Sequence, residues 1–123
     1  MRRKHFRLER LLDIRIMAER SAAAVLSEAD TALQKVQEEL RILKEKESAL
    51  YDDFIHSLKT QGNLASIQAH LSAVKEDYLL LSKKLKERED EKAKAYSLYI
   101  NALKKRKILE NLKDKTLESA KNS

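Results

Sequence analysis

Residues 26–54 read LSEADTALQKVQEELRILKEKESALYDDF. Apolar side chains recur there at alternating steps of three and four: Leu26, Ala29, Leu33, Val36, Leu40 and Leu43, then Glu47, Leu50 and Phe54. That alternation is the heptad signature of a helix burying one narrow stripe against another helix. A second run, LASIQAHLSAVKEDYLLLSKKL over residues 64–85, places Leu64, Ile67, Leu71, Val74, Tyr78, Leu81 and Leu85 on one stripe. Between the runs lies the only glycine of the chain, Gly62. The spacing predicts an all-α protein, a long antiparallel two-helix coiled-coil hairpin with its turn near residues 57–63. Residues 1–123 form a single unit on this reading, arm one covering about 3–58 and arm two about 63–120.

The turn residues agree with the pattern. Lys59 suits the last turn of a helix, Gly62 a left-handed position just past its end, and Asn63 the N-cap of a helix opening Leu64-Ala65-Ser66. Each arm of about 57 residues would then extend about 85 Å at 1.5 Å per residue. Antiparallel partners should have residue numbers with a constant sum, and a sum of 121 pairs Phe54 with Ile67, Leu50 with Leu71, Leu43 with Tyr78, Leu40 with Leu81 and Val36 with Leu85. The same register sets Leu33 opposite Arg88 and Ala29 opposite Lys92, where aliphatic stems can lie along the seam with their charged heads in water. Farther from the turn it sets Arg15 against Arg106. Two guanidinium groups do not share a dry layer, so the expectation is that the register slips or the arms splay there.

Composition points the same way. The chain is 37% charged, has no proline and no tryptophan, and carries two Phe and four Tyr in 123 residues. It therefore lacks the helix breakers and most of the aromatic bulk that layered globular cores contain. Its 42% apolar residues form a stripe rather than a volume. Cysteine is absent, which removes disulfides, thiolate metal sites and thiol nucleophiles together. The basic start Met1-Arg2-Arg3-Lys4 gives way to alternating charged and apolar residues through Glu9, Arg10, Asp13 and Arg15, with no apolar signal region. The longest stretch free of Asp, Glu, Lys and Arg runs from Thr60 to Val74, too short and too polar to span a bilayer. A cytoplasmic location is expected.

Charge divides the chain. Residues 1–20 carry seven bases against three acids and residues 104–123 carry another seven against three, a net of +4 in each segment. With +6 over the whole chain, the 83 residues between them are net −2. A hairpin lays the two basic segments side by side. The seam extends outward through Ala22, Glu19, Arg15, Leu12 and Leu8 to His5 on the first arm, and through Arg88, Lys92, Ala95, Tyr99, Ala102, Arg106 and Leu109 on the second. Around it crowd further apolar residues, Leu11, Ile14, Ile16, Met17, Ala18, Ala23, Ala24 and Val25 on the first arm and Leu98, Ile100, Leu103, Ile108, Leu112 and Leu117 on the second, more than a two-stranded seam requires. Apolar area ringed by bases suggests docking to an acidic protein partner, since charge speeds encounter and buried apolar groups hold the complex. A third helix or a second copy could cover the same area.

The residues argue against catalysis and cofactors. His5, His56 and His70 are the only imidazoles, none is spaced as a helical metal pair, and no thiol supplements them. Carboxylate pairs such as Glu38-Glu39 and Asp52-Asp53 do acid–base work only in a shaped, partly desolvated cleft, which a two-helix hairpin lacks. One glycine cannot build a phosphate-cradling loop. The reading is of a non-enzymatic protein with no cofactor and no metal. The segment Arg2-Arg3-Lys4-His5-Phe6-Arg7 before a leucine-rich helix looks superficially like a basic-region zipper, yet residues 1–20 contain no Asn or Gln to read base edges. Salt-sensitive attraction to nucleic acid or to an anionic membrane surface, and a purely structural coiled coil, stay open as alternatives.

Two segments carry a family resemblance. Phe6-Arg7-Leu8-Glu9-Arg10-Leu11-Leu12-Asp13-Ile14-Arg15, followed by Ala- and Glu-rich heptads, resembles the start of FliJ-type flagellar export proteins and their YscO-type counterparts in injectisomes. Lys105-Arg106-Lys107-Ile108-Leu109-Glu110-Asn111-Leu112-Lys113-Asp114-Lys115 is similar to the basic, leucine-spaced segment closing the second helix in that family. The resemblance covers most of the chain, which is somewhat shorter than is usual in the family. It implies a stalk of the type III export apparatus, folded like the coiled-coil part of the rotary ATPase gamma subunit. The stalk would be monomeric, its open end inserted in the hexameric export ATPase, with the export gate and substrate chaperones as further partners. It would sit in the cytoplasm, at the inner membrane only through those partners. No catalytic residue carries over, because the family has none. The residues it assigns to ATPase contact are Arg2, Arg3, Lys4, Arg7, Arg10, Leu11, Ile14 and Arg15 at one end and Lys104, Lys105, Arg106, Lys107 and Ile108 at the other.

Overall fold

The computed structural model describes the backbone of residues 2–122 and the side chains of residues 6–119. It contains two helices, α1 (Arg2–Thr60) and α2 (Leu64–Asn122), each 59 residues long, which pack against each other as an all-α hairpin. Contacts group the chain into two compact units. One joins Met1–Asp30 to Glu91–Ser123, and the other is Thr31–Asp90 with the turn.

In the unit of residues 31–90 the heptad reading holds position by position. Leu33, Val36 and Leu43 of α1 and Val74 of α2 are buried, and Leu40, Glu47, Leu50, Phe54, Leu64, Ile67, Leu71, Tyr78, Leu81 and Leu85 are half-buried. Val36 and Val74, each 1% exposed, are the most enclosed side chains. Most positions between the seam residues face water, including apolar ones such as Ile42 and Leu80, while Glu39, Ser57 and Lys84 are half-buried. A helix that hides one stripe has no second layer, so apolar residues off the stripe stay exposed whatever their hydrophobicity. The phenol of Tyr78, on the seam, is pushed up from its ordinary value by desolvation and secondarily by the carboxylate of Glu47.

The turn is tighter than the sequence suggests, and its left-handed residue is a different one. Gln61 has φ 57°, whereas Gly62 does not adopt a positive φ. The amide of Gly62 donates to the carbonyl of Ser57 at 3.1 Å. That is the six-to-one bond of a Schellman motif, with Gln61 at C′ and Gly62 one residue beyond. The expectation that Gly62 supplies the left-handed conformation is therefore corrected. Gly62 is needed for space: a Cβ there would stand 2.8 Å from Ser57 Oγ and 3.1 Å from Ser57 Cβ. On the far side Asn63 caps α2 as expected, its Oδ1 accepting from the Ser66 amide at 3.2 Å, and Lys59 lies in the last turn of α1.

In the unit of residues 1–30 and 91–123 the same spacing holds. Leu12 and Ala95 are buried, and Leu8, Arg15, Glu19, Ala22, Leu26, Ala29, Lys92, Tyr99, Ala102, Arg106 and Leu109 are half-buried. Lys113 and Thr116 extend the stripe one further turn. Lys92 behaves as its place on the seam demands, with its ammonium 2.7 Å from Asp30. Among the described residues no helix is long and apolar enough to cross a membrane.

Two stability measurements check this account. Leu43→Ala should cost about 2–3 kcal/mol in urea unfolding, while Ile42→Ala, one residue off the seam, should stay within about 0.5 kcal/mol. Gln61→Gly should stabilise by about 0.5–1 kcal/mol by relieving the left-handed backbone. Gly62→Ala should destabilise, and a gain from both would disprove the turn geometry.

Candidate functional site

The sequence points to the place where the two basic segments meet, in the unit formed by residues 1–30 and 91–123. Uninterrupted heptads bring α1 and α2 together there, and the heptad also decides which way each functional side chain faces. Taking the buried stripe as positions a and d, Leu12, Glu19 and Leu26 of α1 and Lys92, Tyr99, Arg106 and Lys113 of α2 fall at a. Glu19 and Arg106 are thus both seam residues, and they meet.

Arg106 Nε donates to Glu19 Oε2, and a second guanidinium nitrogen lies 2.7 Å from Glu110 Oε2. The two seam side chains are 20% and 17% exposed, so the pair is largely withdrawn from water. The hydrogen bond from Arg106 to Glu19, then that to Glu110, raises the affinity of Arg106 for its proton against the opposing effect of burial. The charge of Arg106, expected to oppose that of Arg15, is met instead by Glu19. Lys113 lies 3.6 Å from Glu9, nearer the termini.

The residues assigned to partner contact sort into three groups. Arg7, Arg10, Leu11, Ile14, Lys104, Lys105, Lys107 and Ile108 are exposed. Arg15 and Arg106 are half-buried seam residues, Arg106 being engaged in the pair just described. Arg2, Arg3 and Lys4 lie outside the residues whose side chains are described, as does His5. Among the described residues, Arg7, Arg10, Lys104, Lys105 and Lys107 make no hydrogen bond or ion pair. Exposed apolar side chains stand among them, with Ile14 at 52% and Ile108 at 65% exposure.

Elsewhere the surface is more balanced. Arg41 forms a hydrogen bond with Glu38 at 2.6 Å and with Glu45 at 2.5 Å, and the first of these holds the Glu38 carboxyl below its ordinary value. These three residues share one helix face, and Arg41, Glu45 and Tyr51 border a surface depression on α1 alone. No group of three or more His, Asp or Glu side chains is arranged to hold a metal ion among the described residues. His56 and His70 are exposed to either side of the turn. Compared with protein-family models, curated proteins and solved structures, the chain matches none.

Sequence reasoning missed Glu19 as the counter-ion of Arg106. The signal was present, since both occupy the same heptad position, but a strict pairing rule aligns Cα atoms and ignores the reach of an arginine. Glu19→Leu alone should leave Arg106 with only Glu110 as counter-ion on a largely withdrawn seam position and lower the thermal midpoint. Combined with Arg106→Leu it should recover or exceed the original midpoint, because two apolar residues on a seam avoid the desolvation of an ion pair. Circular-dichroism melts of the three variants test this, and a double variant no better than the single would refute it.

Proposed function

We propose that the protein is a non-enzymatic stalk of a type III export apparatus, flagellar or injectisome, docking its basic end into the hexameric export ATPase. One observation carries the reading. Five bases assigned to the contact (Arg7, Arg10, Lys104, Lys105 and Lys107) are exposed and, among the described residues, unengaged, and they surround apolar side chains that the hairpin leaves in water. Long basic side chains without counter-ions raise the encounter rate with an acidic surface, and exposed leucine and isoleucine supply the area that holds the complex once formed. The helical hairpin is the architecture the resemblance implies, and the matching segments at both ends fall in the unit that carries these bases. The stalk works as a monomer in the cytoplasm and links the ATPase to the export gate or to substrate chaperones, reaching the inner membrane only through these partners.

The test keeps Arg15 and Arg106 intact, since both lie on the seam. Arg7, Arg10, Lys105 and Lys107 are changed to Glu, and binding to the purified export ATPase from the same genome is measured together with helicity. The expected result is a loss of at least about tenfold in affinity with unchanged circular dichroism. Undiminished binding by the variant refutes the assignment. Wild-type chain that ignores the ATPase but binds duplex DNA or anionic vesicles, with affinity falling steeply as salt rises, transfers the function to the nucleic-acid or membrane alternative.

A further inference from the structure

The basic end has two unlike flanks. The seam positions divide the surface of each helix into one flank made of positions g and c and another made of e and b. In the unit of residues 31–90, Glu39 and Lys84 both fall at g and their charged groups lie 4.0 Å apart, so the g positions of the two helices adjoin. In the other unit, where the sequence keeps the same heptad, Asp30 and Glu9, both at e, reach Lys92 and Lys113. Flank assignment there follows directly.

Between residues 7–27 of α1 and 95–119 of α2, the g and c positions contain no acid at all. They hold Arg7, Lys105 and Lys115, a net of +3, with Ala18, Ser21, Asn101 and Ser119 as the small or polar remainder. Their other occupants are Leu11, Ile14, Val25, Leu98, Ile108 and Leu112, every one of which is between 46% and 65% exposed. The e and b positions of the same segments differ in both respects. Glu9, Asp13, Glu110 and Asp114 outnumber Arg20 and Lys107, giving −2, and Ile16, Ile100 and Leu103 are already half-buried, which leaves Tyr96 and Leu117 as the large apolar side chains in water. Of the described bases in the two terminal segments, Arg7, Lys105 and Lys115 thus stand on a flank without an acid between residues 7–27 and 95–119.

Levels match across that side. The Asp30–Lys92 and Glu9–Lys113 pairs fix the register, which brings Leu11 level with Leu112, Ile14 with Ile108 and Val25 with Leu98. The paired rungs run over about 21 Å, roughly four helical turns. Two parallel rows of apolar side chains at helical spacing receive the apolar ridge of a third helix.

We propose that this acid-free flank is the seat for one amphipathic helix of a protein partner, apolar on the face it buries and acidic along its edges. The proposal rests on reading the basic end as a protein-docking surface and narrows it to one side of the hairpin. Charge selects the occupant. A second copy meeting two-fold symmetrically would bring +3 against +3, because an isologous contact apposes the same patch. An acidic helix meets three bases that have no ion-pair partner among the described residues.

Two measurements separate this proposal from the export-stalk reading. In the first, isotopically labelled full-length chain is titrated with two synthetic amphipathic peptides that share one leucine stripe, one edged with Glu and the other with Lys. The acidic peptide should shift the amides of Leu11, Ile14, Ile108 and Leu112, and Lys105→Glu should weaken it at least fivefold. Equal shifts on both flanks, or binding of the basic peptide, overturn the proposal. In the second, the export ATPase is the probe. Ile14→Ser with Ile108→Ser should lose at least tenfold in affinity, and Tyr96→Ser with Leu117→Ser, on the opposite flank, should stay within twofold. The reverse order overturns the flank assignment while leaving the stalk reading intact. Acidic-peptide docking on the flank with no ATPase binding by the wild type sinks the stalk reading and sustains the seat. Concentration-dependent self-association in sedimentation, or binding to phosphatidylglycerol vesicles, that Ile14→Ser with Ile108→Ser abolishes would replace the acidic helix by a second copy or a membrane and so overturn the proposal.

Discussion

A pair of helices that buries a single stripe on each has no interior beyond that stripe, and every charged residue on it must find water or a counter-ion within one side-chain length. This constraint governs the molecule. The seam includes Arg15, Glu19, Glu47, Arg88, Lys92, Arg106 and Lys113, more charge than a layered core would tolerate. Lys92 reaches Asp30, Lys113 reaches Glu9, and Arg106 closes on Glu19. Each cationic head sits at the edge of the stripe while its methylenes cover it, so these side chains contribute apolar area and still keep their charge solvated or paired. The Lys92–Asp30 and Lys113–Glu9 pairs, which keep contact with water, are not a large source of stability, since exposed ion pairs are worth at most about 1 kcal/mol. Their effect is on which surfaces can meet.

Four bridges between the helices share one polarity. Glu9, Glu19, Asp30 and Glu39 on α1 face Lys113, Arg106, Lys92 and Lys84 on α2. An α2 segment placed against another α2 would bring base to base at these positions. Complementary edge charges fix partner choice in coiled coils, and here they favour closure of α1 onto its own α2. The same arrangement draws Glu9 and Asp30, both at e, toward α2, while between residues 7–27 and 95–119 the g and c positions carry bases and no acid. The asymmetry of the surface is thus a by-product of how the seam is kept electrically closed.

The helices and their buried stripes were legible residue by residue because a heptad is a strictly local code: each seam residue announces itself by its distance from the last. Every position from Leu8 to Phe54, and from Leu64 to Leu109, that the spacing puts on the stripe is buried or half-buried. The turn was legible in place and in its Asn63 cap, but not in its backbone. Glycine's usual reason for standing past a helix end is a positive φ, and at Gly62 the reason is the 2.8 Å approach to Ser57, which spacing does not encode. At the basic end the exposed bases were legible from composition, whereas the engagement of Arg106 was not, because a side chain spanning a full turn can choose between two rungs.

That difference bears on how residues of one charge at one end divide their work. Arg106 and Lys105 are neighbours with the same formal charge, yet Arg106 points into the seam and is held by two carboxylates while Lys105 stands on the acid-free flank with none among the described residues. Removing either charge changes the net charge of the segment by the same amount, so any effect that follows net charge alone, such as long-range attraction, should respond alike to both. Effects that depend on the helix pair should follow Arg106 and short-range contact should follow Lys105. Sequence position separates the two by one residue; the heptad separates them by about 100° around the helix, and that angle decides which of them is available to a partner.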